Sequence, residues 1–148
     1  MSLPGIFYKI EKKFAENINF IKINNVILKN WSEKIKTLKG PKIGFNFQGD
    51  PSYILDGSRS IPFNYFKDIF LKDNLNFISL VKGHGELELN KKILRKNVFN
   101  FSKDIDNNDN SFEDTIAILK NLDLLITSDT AIAHLASTLE IRTWLLLN

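Results

Sequence analysis

The sequence predicts a doubly wound α/β domain on a parallel sheet of about five strands. Three observations predict it. Short, nearly continuous apolar runs recur along the chain: "KIGFNF" (42–47), "NFISLV" (76–81), "NVFNF" (97–101), "LDLLITS" (122–128) and "RTWLLLN" (142–148). Segments with helical spacing separate most of them. Turn-forming residues mark the joins. Strands without polar alternation are buried on both faces, and alternation with helices calls for parallel crossovers. The right-handed crossover rule then fixes most of the topology.

The elements follow in order. Residues 4–28 mix apolar and basic side chains with no clean period, and "NINFIKINNVIL" fits a strand or a helix equally. "KNWSEKIKTLK" spaces Trp31, Ile35 and Leu38 as one helical face, closed by Gly40-Pro41. After the first strand, "QGDPSYILDGSR" is a long loop rich in turn residues. Pro62 suits a first helical turn, and Phe63, Phe66, Ile69 and Phe70 would then share a face. "KGHG" follows the second strand and leads into a helix over "ELELNKKILRK". "SKDIDNNDN" reads as a polar surface loop with no packing residues. Ser111 with Asp114 suggests a capping box, with Phe112, Ile116 and Leu119 on the buried face of the next helix. "TAIAHLASTL" is the last helix, before the fifth strand.

Bulk properties exclude several functions. A chain of 148 residues suits one domain with a real core. It has no cysteine, and its histidines are His84 and His134, so thiolate and His-rich metal sites are excluded. No apolar run approaches the roughly 18 residues of a membrane span, and the N-terminus lacks the apolar core of a signal peptide. The expected location is cytoplasmic. The net charge of +3 divides unevenly: residues 1–42 carry nine lysines and three glutamates, so the remainder is mildly acidic. Nucleic-acid binders usually carry positive charge as a patch on the folded body, so no nucleic-acid partner is expected. The expected organisation is a basic segment with a short helix over 1–40 and a truncated Rossmann-like domain over 41–148.

In a parallel sheet the loops after each strand share one edge. Four polar loops, 48–59, 82–85, 102–110 and 128–131, therefore converge. "TSDTAIAHLAS" (127–137) is the most suggestive. Asp129 or Thr130 can cap its helix, and the amides of Thr130, Ala131 and Ile132 can hold an anion such as a diphosphate. His134 lies a turn further on and can add a donor. Lys82 can bring a full charge. Arg59 and Gly49 belong to the first loop. Each residue also has an ordinary reading. Asp129-Thr130 can be a cap and no more, His134 a core-edge histidine, and Lys82 a solvated lysine. Arg59 can tie its loop to a carboxylate, Gly49 can be a turn residue, and Asp123 suits a turn better than catalysis. Asp50 and Asp56 sit in a loop that looks flexible, so no general base, and no catalytic residue, is assigned.

"KIGFNFQGDPSY", "RSIPF", "FISLVKG" and "DLLITSDTAIAHLASTLEIRTWLLL" together resemble the C-terminal half of bacterial glycosyltransferases of the GT-B fold. The resemblance runs to heptosyltransferase-like domains that follow tetratricopeptide repeats, and it covers residues 41–148. It implies a nucleotide-sugar site with Asp129, Thr130 and Ala131 at the donor diphosphate and His134 beside them. Lys82 would match a lysine near the phosphates, Gly49 the glycine of the first loop, and Arg59 an arginine of unassigned role. Phe47, Val81 and Ala131 stand where the pattern carries tryptophan, glutamine and glycine. No metal is expected, and the donor is a substrate rather than a cofactor.

The implied function is the donor-binding half of a glycosyltransferase, inactive without a Rossmann-like or repeat partner domain that this sequence lacks. A non-catalytic interaction or regulatory domain of the same fold is the alternative. A receiver or flavodoxin is disfavoured, because the first strand ends without an acidic cluster and its loop is not a compact Ser/Thr phosphate loop. An unpaired strand edge makes a homo-oligomer possible.

Overall fold

A computed structural model describes residues 21–92, 95–107 and 112–147. Five strands form one parallel sheet: β1 (Lys42–Asn46), β2 (Asn76–Ser79), β3 (Val98–Asn100), β4 (Leu124–Ser128) and β5 (Thr143–Leu146). Their order is β3-β2-β1-β4-β5. The first three strands step one way across the sheet, and β4 then starts on the other side of β1. The topological switch point therefore lies between β1 and β4, where Asn46 is in register with Thr127. In such sheets ligands bind at that point, beyond the carboxyl ends of the strands.

Among the described residues, four α-helices accompany the sheet: α1 (Asn25–Lys36), α2 (His84–Lys92), α3 (Glu113–Leu119) and α4 (Ala131–Thr138). Helix α1 begins earlier than its Trp31–Leu38 spacing indicates. The Asn24 side chain starts it by accepting from the amides of Val26 (3.0 Å) and Ile27 (3.5 Å). It buries Trp31 and Ile35 and packs on α3, where the Trp31 indole donates to Asp114 Oδ1 at 2.7 Å.

Alternation along the strands sorts the core into two clusters. Ile78, Leu125 and Gly44 are in register on one face, with Trp31, Leu119 and Ala136 packed there. Gly44 lets Leu122 pack close, since a Cβ there would lie 2.3 Å from Leu122 Cδ1 and that side chain would have to move. The other face is aromatic. Phe45, Phe77, Phe63, Phe66 and Phe70 are all buried, with the rings of Phe45 and Phe70 centred 4.9 Å apart and those of Phe70 and Phe77 5.0 Å apart.

Several expectations need correction. The helix expected from Pro62 is instead two 3-10 turns, Phe63–Phe66 and Ile69–Leu71. A three-residue period eclipses Phe63 and Phe66 and drives both into the sheet, which the aromatic packing rewards over regular helix. The third loop is not free of packing residues, because Ile105 is buried in the first core cluster. Phe112 is exposed, with φ of 70°, and precedes α3 instead of joining its buried face, which Ile116 and Leu119 supply. Ser111 lies outside the described residues. The cap comes from Asp106, whose Oδ1 accepts from the amides of Asp114 (3.0 Å) and Thr115 (3.4 Å). Asp114 Oδ2 accepts in return from the Asp106 amide at 2.8 Å. Among the described residues, no helix is long and apolar enough to cross a membrane.

Candidate functional site

A cleft of about 370 Å³ opens at the switch point. Asn46 of β1, the first-loop residues Gln48, Gly49, Asp50 and Arg59, and Thr130, Ala131 and Ile132 at the start of α4 line it, with Leu80, Lys82 and Phe112. Asn46 is a polar residue only 3% exposed at the end of an apolar strand. Its Nδ2 donates to Thr130 Oγ1 at 3.1 Å and to the Gln48 carbonyl at 3.3 Å.

That bond engages the hydroxyl at the α4 terminus, which also donates to the Ser128 carbonyl at 3.4 Å. Thr130 occupies the N-cap position with extended backbone, yet its hydroxyl makes no capping bond. It faces Asn46 and the Thr127 hydroxyl, 3.5 Å away, instead of its own helix. The amides of Ala131 and Ile132 have no hydrogen-bond partner among the described residues. Two open donors at the positive end of an eight-residue helix, on the wall of a cleft, favour an anion.

The first loop is braced. Asp56 is buried, and it accepts from Arg59 Nε at 3.2 Å and from Ser60 Oγ at 2.8 Å. Ser60 Oγ also receives the Gly49 amide at 2.9 Å. Asp56 is therefore a fixed loop anchor, which corrects its reading as part of a flexible segment. The guanidinium of Arg59 also covers the Tyr53 ring at 4.5 Å. A Cβ on Gly49 would stand 2.6 Å from Asp56 Oδ1 and 3.0 Å from Arg59 Nη2, so glycine is what lets the loop close over this pair. Asp50 accepts from the Ser52 hydroxyl (2.7 Å) and amide (2.9 Å). These bonds hold its carboxyl below the ordinary carboxylate range, and the charges of His84 and Arg59 act in the same direction.

The remaining candidates are placed differently from one another. Lys82 borders the cleft, but its ammonium donates to the carbonyls of Ile105 and Asp106, the latter at 2.8 Å, and to Asn107 Oδ1 at 3.3 Å. It thus clasps the third loop. His134 is not among the residues lining the cleft. Its side chain is 83% exposed, with Nε2 3.8 Å from Asp129 Oδ1. Asp129 lines a second hollow of about 240 Å³ with Tyr53, Leu55, Ser58, Arg59, Leu146 and Leu147. Arg59 borders both spaces. Asp123 bonds the Lys42 amide through its carboxylate at 2.7 Å, a structural role at the far end of β4. Sequence reading missed Asn46, and the signal was an asparagine inside an otherwise apolar strand.

No known protein family matches the sequence. No curated protein matches it either. Among solved structures, the fold matches the E. coli ADP-heptose lipopolysaccharide (LPS) heptosyltransferase II with a TM-score of 0.61 and 12% identity. The match covers 86% of this chain and 39% of that one, so the chain spans about two fifths of that enzyme's length. The fold is thereby Rossmann-like, a five-stranded parallel sheet of the kind that makes one half of a GT-B fold.

Proposed function

We propose that the chain is the donor-binding half of a glycosyltransferase. The cleft takes a nucleotide-diphosphate sugar, with the diphosphate on the open amides of Ala131 and Ile132. The observation that carries this reading is the Asn46–Thr130 bond, which keeps the helix terminus uncapped at the switch point of the sheet. Asp129, Thr130 and Ala131 form the turn that presents those amides. Gly49 and Arg59 line the same cleft, and Lys82, also at its border, holds the third loop. Binding negative charge at preorganised dipoles also stabilises a diphosphate leaving group, which is electrostatic catalysis without a metal. No residue of this chain is assigned as the base, and the chain alone does not turn over. An N-terminal Rossmann-like or repeat domain would bring the acceptor.

Thermal shift with millimolar UDP, GDP and ADP tests the reading. A nucleotide at about 100 times its dissociation constant stabilises by roughly 2.7 kcal/mol. A rise in Tm with one nucleotide, lost in Ala131→Pro, is the expected result. Proline at the first helical turn keeps α4 while removing one of the two amides. A folded protein that no nucleotide stabilises would sink it.

A second reading, a non-catalytic interaction or regulatory domain, is favoured by one observation. The side-chain hydrogen-bond donors around the site are engaged elsewhere: Lys82 with loop carbonyls and Arg59 with Asp56, while His134 stands beside Asp129 outside the cleft.

A further inference from the structure

We propose that Asn46 accepts a hydrogen bond from a sugar hydroxyl beside the ligand's phosphate, so that the cleft selects a phosphorylated sugar over a phosphate ester without hydroxyls. The inference rests on the donor-binding reading and deepens it.

The Asn46 amide has one possible orientation. Its Nδ2 lies 3.3 Å from the Gln48 carbonyl, which can only accept, so the nitrogen must face that way. Its second proton goes to Thr130 Oγ1 at 3.1 Å. Both donors are therefore used. The Oδ1 atom has no hydrogen-bond partner among the described residues. Asn97 Oδ1 and Ser128 Oγ are also unpartnered but sealed from solvent, and Asn46 Oδ1 is not sealed with them. It reaches the surface that Asn46 lines, which is the cleft. A residue only 3% exposed thus presents one fixed acceptor to the ligand space.

That acceptor and the open amides of Ala131 and Ile132 line the same cleft and ask opposite things of a ligand. The amides take an anion, whereas Oδ1 takes a donor. The bond from Asn46 to Thr130, the N-cap residue, puts the two demands a few bonds apart. Lys82 does not meet the second demand, because its ammonium is given to Ile105, Asp106 and Asn107. A sugar phosphate meets both, with hydroxyls close to its anion. The hydroxyl can belong to the transferred sugar or to the ribose of the nucleotide, and the chemistry at Asn46 is the same. Because the amide is held by its own nitrogen, little ordering is left to oppose binding.

NMR of the native chain at about pH 8, where phosphate monoesters are dianions, tests both halves of the site. Cyclohexyl phosphate carries the charge without hydroxyls. Glucose 1-phosphate adds those of a transferred sugar, and ribose 5-phosphate those of a nucleoside. All three should move the backbone amides of Ala131 and Ile132. At least one sugar phosphate should bind about three- to tenfold more tightly than cyclohexyl phosphate, as one net hydrogen bond provides. Only that probe should move the side-chain amide of Asn46, and its identity names the source of the hydroxyl. Asn46→Asp keeps an acceptor to which the Thr130 hydroxyl can donate. It should weaken all three probes through its charge and retain the sugar preference, which Asn46→Leu should abolish. Equal affinities with Asn46 unmoved, while Ala131 and Ile132 respond, overturn the inference and leave the donor reading standing. A sugar preference that survives Asn46→Leu overturns it too. If no probe moves Ala131 or Ile132, the anion site fails and both readings fall. If Asn46→Leu does not fold or binds no anion, the native titration decides.

Discussion

The side-chain amide of Asn46 donates to the hydroxyl of Thr130 at 3.1 Å, across the gap between β1 and β4, where the sheet reverses its order. Thr130 therefore serves the sheet and leaves its own helix uncapped. Replacing Asn46 with leucine keeps the bulk and removes the donor. The buried Thr130 hydroxyl then loses its best partner, at a cost of about 1–3 kcal/mol, readable as a lower urea midpoint with unchanged slope. Freed from Asn46, the hydroxyl can swing over α4 and cap it, which closes the anion site. Nucleotide stabilisation should fall further than the loss of global stability explains. A variant that loses stability yet keeps its full nucleotide shift would show that the bond does not hold the terminus open.

Gly49 gives a sharper steric prediction. In Gly49→Ala the new Cβ meets Asp56 Oδ1 at 2.6 Å and Arg59 Nη2 at 3.0 Å. Asp56 is buried and held by Ser60, so it is poorly placed to yield. Strain of about 1–3 kcal/mol is expected, as for overpacking. The double variant Gly49→Ala, Asp56→Ala relieves the clash and should be less destabilised than the two single changes added together. Simple additivity would mean that the loop moves away from the site without resistance.

The sheet, its parallel sense and the convergence of its loops were legible because continuous apolar strands leave few alternatives. "KIGFNF" and "LDLLITS" run parallel in the structure as the pattern requires, while their adjacency is a matter of strand order that the apolar runs do not encode. The run after Pro62 misled because Phe63, Phe66 and Phe70 fit a helical face and a 3-10 face almost equally, and only sheet packing decides between them. The cap of α3 was hidden because Asp106 reaches it from eight residues upstream of Asp114, beyond any local signature. In the site, the turn at 128–131 was visible as small polar residues between a strand and a helix. The direction of each side chain was not. The Lys82 ammonium finds carbonyls presented by a loop fold that no spacing rule describes.

Lys82 accordingly has a testable role as a clasp. Lys82→Met keeps the stem and removes the ammonium, freeing the carbonyls of Ile105 and Asp106. The site is solvent-exposed at the ammonium end, so global stability should fall by about 1 kcal/mol or less. Amide exchange should rise over residues 102–107, the loop whose Asp106 also caps α3. If Lys82 instead serves mainly as a phosphate cation, the variant will leave exchange in that loop unchanged and abolish the nucleotide shift.

Asp50 predicts a pH dependence whose sign follows from its bonds. The Ser52 hydroxyl and amide prefer the carboxylate, so the folded-state pKa lies below the ordinary value of 3.8. Such a group adds stability at all pH above the ordinary value. The contribution is lost as pH falls from there through the lowered folded-state value. Thermal melts between about pH 6 and 2 should therefore show a shallower acid decline in Asp50→Asn than in the native chain, with the two curves converging at the acid end. Ser52→Ala removes the largest of the lowering contacts and leaves the amide bond. It should move the Asp50 titration, followed by NMR of the side-chain carboxyl, part of the way back toward the ordinary value. An Asp50 titration unmoved by Ser52→Ala would assign the shift to His84 and Arg59 instead, and Arg59→Gln would then have to move it.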